Sequence, residues 1–214
     1  MELYHLLNRG VEKRTVFIDE TDRVRFVHDL YAFNDENDVN PNHRFKLLPA
    51  GAKREPLVDI HAFSLMPNHY HMLVSERIEG GISTFMRKLN MGYAKYFNEK
   101  YKRSGVLWQG TFRKVQIQRD AHFLYIPYYI HLNPLDMVLP EWRGGNVKNI
   151  KRAFSELEKY RWSSYLDYIG TANFPSVINQ TLLSEVLGAS KRQQNVIRDI
   201  ISDSALAQLA GKLE

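Results

Sequence analysis

Two short apolar runs joined by a turn restrict the fold of this chain more than any other feature of its sequence. Leu57 to Leu65 and His69 to Ser75 have the length and residue types of strands, and Pro67-Asn68 between them is typical of a turn. The two runs therefore predict a β-hairpin. Because an isolated hairpin is unstable in water, the hairpin predicts a larger sheet built from the flanking segments.

Further strands and helices are predicted on both sides of this hairpin. In chain order they are a strand over Leu3 to Asn8, a helix capped within Asp19 to Asp22, a helix capped by Ser83 or Thr84, a strand over Leu107 to Gln118 and a helix capped by Asp120. With the hairpin they give the order β-α-β-β-α-β followed by a helix. This order predicts an α+β fold, with a ferredoxin-like four-stranded antiparallel sheet and helices on one face.

The composition changes after Pro134, and the pair Gly144-Gly145 is typical of a linker. From about Val147 onward, apolar residues recur at helical spacing. The sequence therefore predicts two parts, residues 1–140 and a mostly helical C-terminal extension over residues 141–214.

Basic residues are concentrated in one segment of the chain. The stretch from Arg77 to Arg119 contains ten Lys and Arg but only two Glu, a local charge of +8, whereas the whole chain has a net charge of +5. A basic segment of this kind indicates a polyanionic partner such as a nucleic acid, and a solvated helix face has the same composition.

Several classes of protein are excluded by composition. The chain has no Cys, which excludes a disulfide scaffold, a thiolate metal site and a cysteine nucleophile. No apolar run approaches the roughly 20 residues of a membrane helix, and the first residues do not resemble a signal peptide. These features predict a cytoplasmic protein with no membrane partner.

A pair of histidines in the second hairpin strand is the first candidate for chemistry. Side chains two residues apart on a strand point to the same face, so His69 and His71 are predicted to project together. Two neutral imidazoles suit a divalent cation, and histidines at this spacing also occur in strands that bind no metal. Four other histidines are interpreted as structural or surface residues: His5, His28, His43 and His122. For His61 and His131 a place at the border of the site stays open.

A second candidate lies at the end of the helix that follows the last predicted strand. Tyr129 and Asn133 are four residues apart and share a helix face, and Pro134 ends the helix after them. A phenol and a carboxamide in this arrangement suit a nucleophile and a metal ligand. The alternative is a core tyrosine with an asparagine as C-terminal cap.

Taken together, these motifs resemble a known family. The run His61–Val74 (HAFSLMPNHYHMLV) is similar to the histidine-hydrophobic-histidine core of the single-tyrosine HUH transposases. Four further stretches resemble the REP-associated tyrosine transposase branch, in the same order along the chain: Asn8–Gly10 with Val16-Phe17, Ser104–Phe112, Tyr129–Pro134 and Trp162–Tyr165.

This resemblance implies a role for each matching residue. His69 and His71 match the paired metal ligands of the family, Tyr129 matches its nucleophile, and Asn133 matches the polar residue that completes the metal site. Residues 1–140 are then the catalytic domain. The implied activity is metal-dependent cleavage and rejoining of single-stranded DNA through a 5′-phosphotyrosine, with Mg²⁺ or Mn²⁺ and without a nucleotide cofactor.

The resemblance implies a transposase, or a domesticated transposase, that acts at DNA hairpins as a monomer or a homodimer. The alternative is a non-catalytic module on the same fold that binds hairpin DNA or RNA. In either case the basic segment predicts the DNA contacts, with one aromatic side chain for base stacking: Arg87, Lys88, Lys95, Lys102, Arg103, Trp108, Arg113 and Lys114.

The sequence departs from the family pattern at two places. Asp136 is an acid where the family usually has a base, which predicts the loss of one phosphate contact. Pro127 lies two residues before Tyr129 and predicts a kink in the helix. Such a kink would make Tyr125 and Tyr128 competitors for the role of nucleophile.

Overall fold

The computed structural model describes residues 1–37, 54–118 and 120–211. The strands are β1 (Leu3–Arg9), β2 (Val58–Met66), β3 (His69–Glu76) and β4 (Arg113–Gln116). The helices are α1 (Glu20–Ala32), α2 (Gly81–Lys100), α3 (Asp120–Leu132), α4 (Ile150–Lys159), α5 (Tyr165–Tyr168), α6 (Thr181–Leu187), α7 (Ser190–Ser202) and α8 (Ser204–Gly211). Arg119, His43 and the side chains of His122 and of Asp120, predicted as a cap, lie outside the described part.

The strands form one antiparallel sheet in the order β2-β3-β1-β4. This is the strand order of a ferredoxin-like sheet, so the predicted fold class is confirmed. The predicted hairpin is β2 and β3, with the turn at Pro67-Asn68 between them. A bulge between Ile60 and Ala62 interrupts the regular alternation of side chains along β2.

α1 and α2 cover one face of the sheet. Tyr70 of β3 points to this side, where its hydroxyl donates to the side-chain oxygen of Asn90 in α2 at 2.7 Å and its ring lies 5.0 Å from that of Phe26 in α1. The N-terminus of α1 has the predicted cap, in which Asp19 and Asp22 each accept from the backbone N–H of the other.

α2 begins at Gly81, before either of its predicted caps. Gly80 adopts a left-handed conformation with φ +71°, and the Ile82 N–H donates to a carboxylate oxygen of Glu76 at 3.0 Å. A side chain from the end of β3 therefore takes the capping role that the sequence predicts for Ser83.

The prediction that the helices lie on one face is wrong for α3. This helix lies on the opposite face of the sheet from α1 and α2, because its Tyr129 contacts His71, the neighbour of Tyr70 on β3. The segment before α5 runs along the outer edge of β2, where the Leu65 N–H donates to the Trp162 carbonyl at 2.9 Å. This contact covers a strand edge that would otherwise have unpaired backbone groups.

The fourth strand is shorter than predicted. β4 extends over Arg113–Gln116, which pair with β1, and the residues before it form a loop in which Leu107 and Trp108 are buried. The apolar residues that predicted the start of a strand serve instead to fix this loop to the core.

The glycine pair predicted as a linker is a packed turn. Gly145 has φ +65°, and a Cβ added there would lie 2.2 Å from the carbonyl carbon of Asp203. The Val147 N–H also donates to the Ile201 carbonyl at 3.0 Å. The chain after residue 140 therefore packs closely against the end of α7, and a domain boundary at this point stays a prediction. In the part of the chain that the structure describes, no helix has the length and apolar character required to cross a membrane.

Candidate active site

The two predicted metal-binding histidines lie together on β3. His69 and His71 project from the face that α3 covers, and their ring centroids are 5.0 Å apart. The side-chain oxygen of Asn68 lies 2.6 Å from Nδ1 of His69 and orients that ring. The shared face predicted from strand alternation is therefore present.

A third histidine, His5 of β1, belongs to the same cluster. Its Nε2 lies 2.9 Å from Nδ1 of His71, and the two rings stack with centroids 5.1 Å apart. From the sequence His5 is interpreted as a structural or surface residue, because nothing local places it beside a residue 66 positions away. Its position follows from the register of β1 against β3.

The environment of His71 keeps its imidazole neutral. The side chain is 1% exposed, and burial holds its pKa well below its usual range, with a further contribution from the nearby His5, His69, Arg143 and Arg9. Its Nε2 is buried and has no hydrogen-bond partner among the described residues. A neutral imidazole with an unsatisfied buried nitrogen is suited to coordinate a cation.

Tyr129 is the tyrosine that the structure brings to this cluster. Its ring stands edge-on to His71 at a centroid distance of 5.6 Å and to His5 at 6.2 Å. α3 continues through Pro127. Tyr128 is buried on another side of the helix near Arg192, and Tyr125 is partly exposed. The placement expected for the nucleophile is thus that of Tyr129.

Asn133 follows α3 and begins a 3-10 turn, Asn133–Met137. Its side-chain N–H donates to the Tyr129 carbonyl at 2.9 Å, and its side-chain oxygen lies 3.4 Å from Nη2 of Arg143. The carboxamide therefore ends the helix, as in the alternative interpretation of this residue, and its oxygen faces Arg143.

Arg143 is a cation of the site that the motifs do not include. It lies in a second 3-10 turn, Pro140–Gly144, with Nη2 3.5 Å from the hydroxyl oxygen of Tyr129. Asp136 accepts from Arg143 through both carboxylate oxygens, at 2.8 and 2.6 Å. In the sequence, the acid at position 136, which departs from the family pattern, is the signal that could indicate a basic partner such as Arg143.

The donors present match part of a metal site. His69 and His71 lie together and the buried Nε2 of His71 has no partner among the described residues, and the family resemblance implies the oxygen of Asn133 as a third donor. Within residues 1–37, 54–118 and 120–211, no three His, Cys, Asp or Glu side chains are grouped so that they could hold a cation. The histidine pair therefore fits a divalent cation that takes its remaining ligands from Asn133, water or substrate.

A cavity of about 330 Å³ opens beside His71. The residues that line it come from β1, β3 and the chain around the start of β4: Leu7, Asn8, Arg9, His71, Gln109, Thr111 and Arg113. Two arginines and several hydrogen-bonding groups thus converge next to the histidine cluster. This surface is suited to an anionic ligand that also carries hydrogen-bonding groups.

The predicted DNA contacts are distributed over both faces of the sheet. Arg113 lines the cavity, whereas Arg87 and Lys95 are exposed on α2, on the opposite face. Lys88 donates to the carbonyls of residues 35–37, and Arg103 donates to the side chain of Asn98. Lys102 is exposed just after α2, and Lys114 lies 3.9 Å from Glu76. The structure therefore brings only Arg113 of this set to the cavity.

Trp108 is a core residue, which corrects its prediction as a stacking platform for bases. The side chain is 7% exposed, and its indole N–H donates to the Asn90 carbonyl at 3.0 Å. Its ring packs against those of Phe26, Tyr70 and Tyr93. Filling the space between α1, α2 and the sheet leaves no face of this ring for a ligand.

Comparison with known proteins identifies the family. The sequence profile of a family described as "Transposase IS200 like" matches residues 3–133, which include the histidine pair, Tyr129 and Asn133. A solved structure of a REP-associated tyrosine transposase bound to a REP hairpin is 13% identical in sequence, with a TM-score of 0.50 over 83% of this chain and 85% of that one. At this identity the likeness supports the fold alone. No curated protein matches the chain. Because the family profile covers more than half of the chain, the chain belongs to the IS200-like transposase family.

Proposed function

We propose that this protein cleaves and rejoins single-stranded DNA, with Tyr129 as the nucleophile. The observation that carries the proposal is the position of Tyr129, edge-on to His71, which lines a cavity together with Arg9 and Arg113. A phenol, a neutral imidazole and cations are groups that phosphodiester chemistry requires.

In the proposed reaction the Tyr129 oxygen attacks the scissile phosphorus and the 3′ oxygen of the preceding nucleotide leaves. The product is a 5′-phosphotyrosine and a free 3′-hydroxyl. The phosphotyrosine conserves the energy of the broken bond, so that a 3′-hydroxyl can reverse the step without a nucleotide cofactor. The position of Tyr129 is fixed because α3 packs on the sheet and the side chain of Asn133 donates a hydrogen bond to the Tyr129 carbonyl at the end of the helix.

We further propose that His69 and His71 hold Mg²⁺ or Mn²⁺, together with Asn133. When bound, such a cation neutralises the non-bridging oxygens of the scissile phosphate. Two features of the chain favour coordination of this cation. Burial keeps His71 neutral, and Asn68 orients the His69 ring.

A DNA hairpin is the proposed substrate. The solved REP-associated transposase that shares this fold is bound to a REP hairpin. In this chain Arg9 and Arg113 face the cavity from two neighbouring strands and are suited to bind the phosphates that flank the cleaved bond. Residues 1–140 are proposed as the catalytic part and residues 141–214 as a helical extension, in a cytoplasmic protein.

The test is the formation of a covalent adduct. The protein is incubated with an end-labelled single-stranded hairpin and Mn²⁺, and a labelled band that survives denaturation is expected. Tyr129→Phe retains the ring and its packing but lacks the attacking oxygen, so it should bind the hairpin and form no adduct. Tyr125→Phe and Tyr128→Phe are the matched controls and should remain active. An adduct on Tyr129→Phe would refute the proposal.

One observation favours the alternative of a non-catalytic hairpin-binding module. Tyr129 is 0% exposed, so that a scissile phosphate reaches its oxygen only if the cavity wall moves when DNA binds. A protein that binds the hairpin with measurable affinity and forms no adduct with any tyrosine would be such a module.

A further inference from the structure

The guanidinium of Arg143 is placed against the phenol of Tyr129. Nη2 lies 3.5 Å from the Tyr129 oxygen and 3.4 Å from the side-chain oxygen of Asn133. Its central carbon lies 5.4 Å from the centroid of the Tyr129 ring and 5.0 Å from that of Trp142. Arg143 is therefore in contact with the atom that the proposed reaction makes nucleophilic.

Hydrogen bonds and packing contacts hold the Arg143 side chain in this position. Asp136 accepts two hydrogen bonds from the guanidinium and a third from the indole N–H of Trp142 at 2.7 Å. The 3-10 turn that carries Arg143 ends at Gly144, and the backbone of the next residue, Gly145, packs directly on Asp203. Few orientations of the guanidinium satisfy all these contacts, and a preorganised cation is the type that stabilises charge effectively.

We infer that Arg143 is a catalytic residue, which stabilises negative charge on the Tyr129 oxygen in both directions of the reaction. This inference rests on the proposed function. During cleavage the oxygen forms its bond to phosphorus, the bond from phosphorus to the 3′ oxygen breaks, and the phenol proton is balanced by the proton that the departing 3′ oxygen takes up. During rejoining a 3′-hydroxyl oxygen forms a bond to phosphorus and gives up its proton. The phosphorus–Tyr129 oxygen bond breaks, and its electron pair returns to an oxygen next to Arg143, which takes up a proton.

The alternative is a purely structural ion pair between Arg143 and Asp136. Two observations favour the catalytic role. An ion pair alone does not require contact with Tyr129 and Asn133, yet one nitrogen of Arg143 lies near both. The Arg143 side chain is also 31% exposed, which leaves it accessible from solvent while it contacts the buried phenol. Asp136 is accordingly a positioning residue.

The arrangement also explains the acid at position 136. The family resemblance predicts a base there, and its replacement by Asp136 predicts the loss of a phosphate contact. In the structure, Asp136 instead fixes a cation from seven residues further along the chain. The positive charge is thereby provided by Arg143.

Single-turnover kinetics on full-length protein test this inference. Arg143→Gln should slow both adduct formation and rejoining about 100-fold, the loss typical of a removed charge-stabilising donor, while the hairpin Kd changes less than about threefold. Arg143→Lys retains the positive charge but loses the bidentate contact with Asp136, so its rates should lie above those of Arg143→Gln and below those of the wild type. The rates of adduct formation and rejoining in Asp136→Asn should lie between those of the wild type and those of Arg143→Gln.

Arg161→Gln is the matched control, because Arg161 stacks on Trp162 at 5.1 Å, a geometry similar to that of Arg143 on Trp142, and its other ring contact is with Phe174, outside the site. Wild-type rates in Arg143→Gln, or equal losses in the control, would overturn the inference while leaving the proposed function intact. Absence of any adduct in the wild type would refute both. If Arg143→Gln does not fold, as judged by circular dichroism, Arg143→Lys and Asp136→Asn decide, and wild-type rates in both would overturn the inference.

Discussion

Replacing Gly145 with alanine tests whether the C-terminal helices hold the turn that carries Arg143. The left-handed backbone at φ +65° costs a residue with a Cβ about 1–2 kcal/mol. The added Cβ would also lie 2.2 Å from the Asp203 carbonyl carbon and 2.4 Å from the Ser204 nitrogen, so the turn and the start of α8 must separate. Such overpacking costs a further 1–3 kcal/mol or so. The free energy of unfolding should therefore fall by about 2–5 kcal/mol.

Gly80 is a matched control for this substitution. Its φ is +71°, and a Cβ there meets no heavy atom within 4 Å. Gly80→Ala therefore has the backbone cost of the left-handed conformation without a steric clash. Urea denaturation followed by circular dichroism should show a loss of only about 1–2 kcal/mol for Gly80→Ala. Gly145→Ala should also form the adduct about 10- to 100-fold more slowly under conditions where it remains folded, because the turn has moved. Equal effects of the two substitutions on stability and rate would refute the reasoning.

Three other predictions concern the metal, the DNA and the effect of pH. The double variant His69→Ala, His71→Ala should lose Mn²⁺ affinity in calorimetry while its circular dichroism stays unchanged; retained affinity would contradict the metal assignment. Arg113→Ala should weaken hairpin binding and reduce the slope of log K against log salt by about 0.7, whereas Arg87→Ala, on the opposite face, should change both less; equal losses would argue against the cavity as the DNA site. Burial lowers the pKa of His61 from its usual 6.5, so unfolding takes up a proton as the pH falls below that value and the wild type loses stability there. The free energy of unfolding of His61→Gln should fall less steeply towards about pH 5, and parallel curves for the two proteins would contradict this.

The features that the sequence predicts correctly are those set by local periodicity. The hairpin around Pro67-Asn68 and the shared face of His69 and His71 follow from the two-residue repeat of a strand. The buried stripe of α2 also follows a helical repeat, and residues such as Phe85 and Leu89 are fully buried.

The features that the sequence does not predict depend on contacts between distant segments. His5 reaches His71 only because β1 pairs with β3 in one particular register. Arg143 reaches Tyr129 because two 3-10 turns fold back on α3, and such turns have no periodic signature. Trp108 resembles an exposed stacking residue in sequence, and only the packing of Phe26 and Tyr70 around it shows that it is buried.

The position of β1 in the sheet has a consequence for synthesis on the ribosome. β1 (Leu3–Arg9) is made first, yet it lies inside the sheet between β3 and β4. At roughly 5–20 residues per second, its partner starting at His69 follows after roughly 3–12 s and that starting at Arg113 after roughly 5–20 s. Over that interval an apolar strand has both backbone edges unpaired, which is the condition under which nascent chains pair with one another. The yield of folded protein should therefore fall as expression rate rises, and co-expressed chaperones that shield the N-terminal segment should restore it.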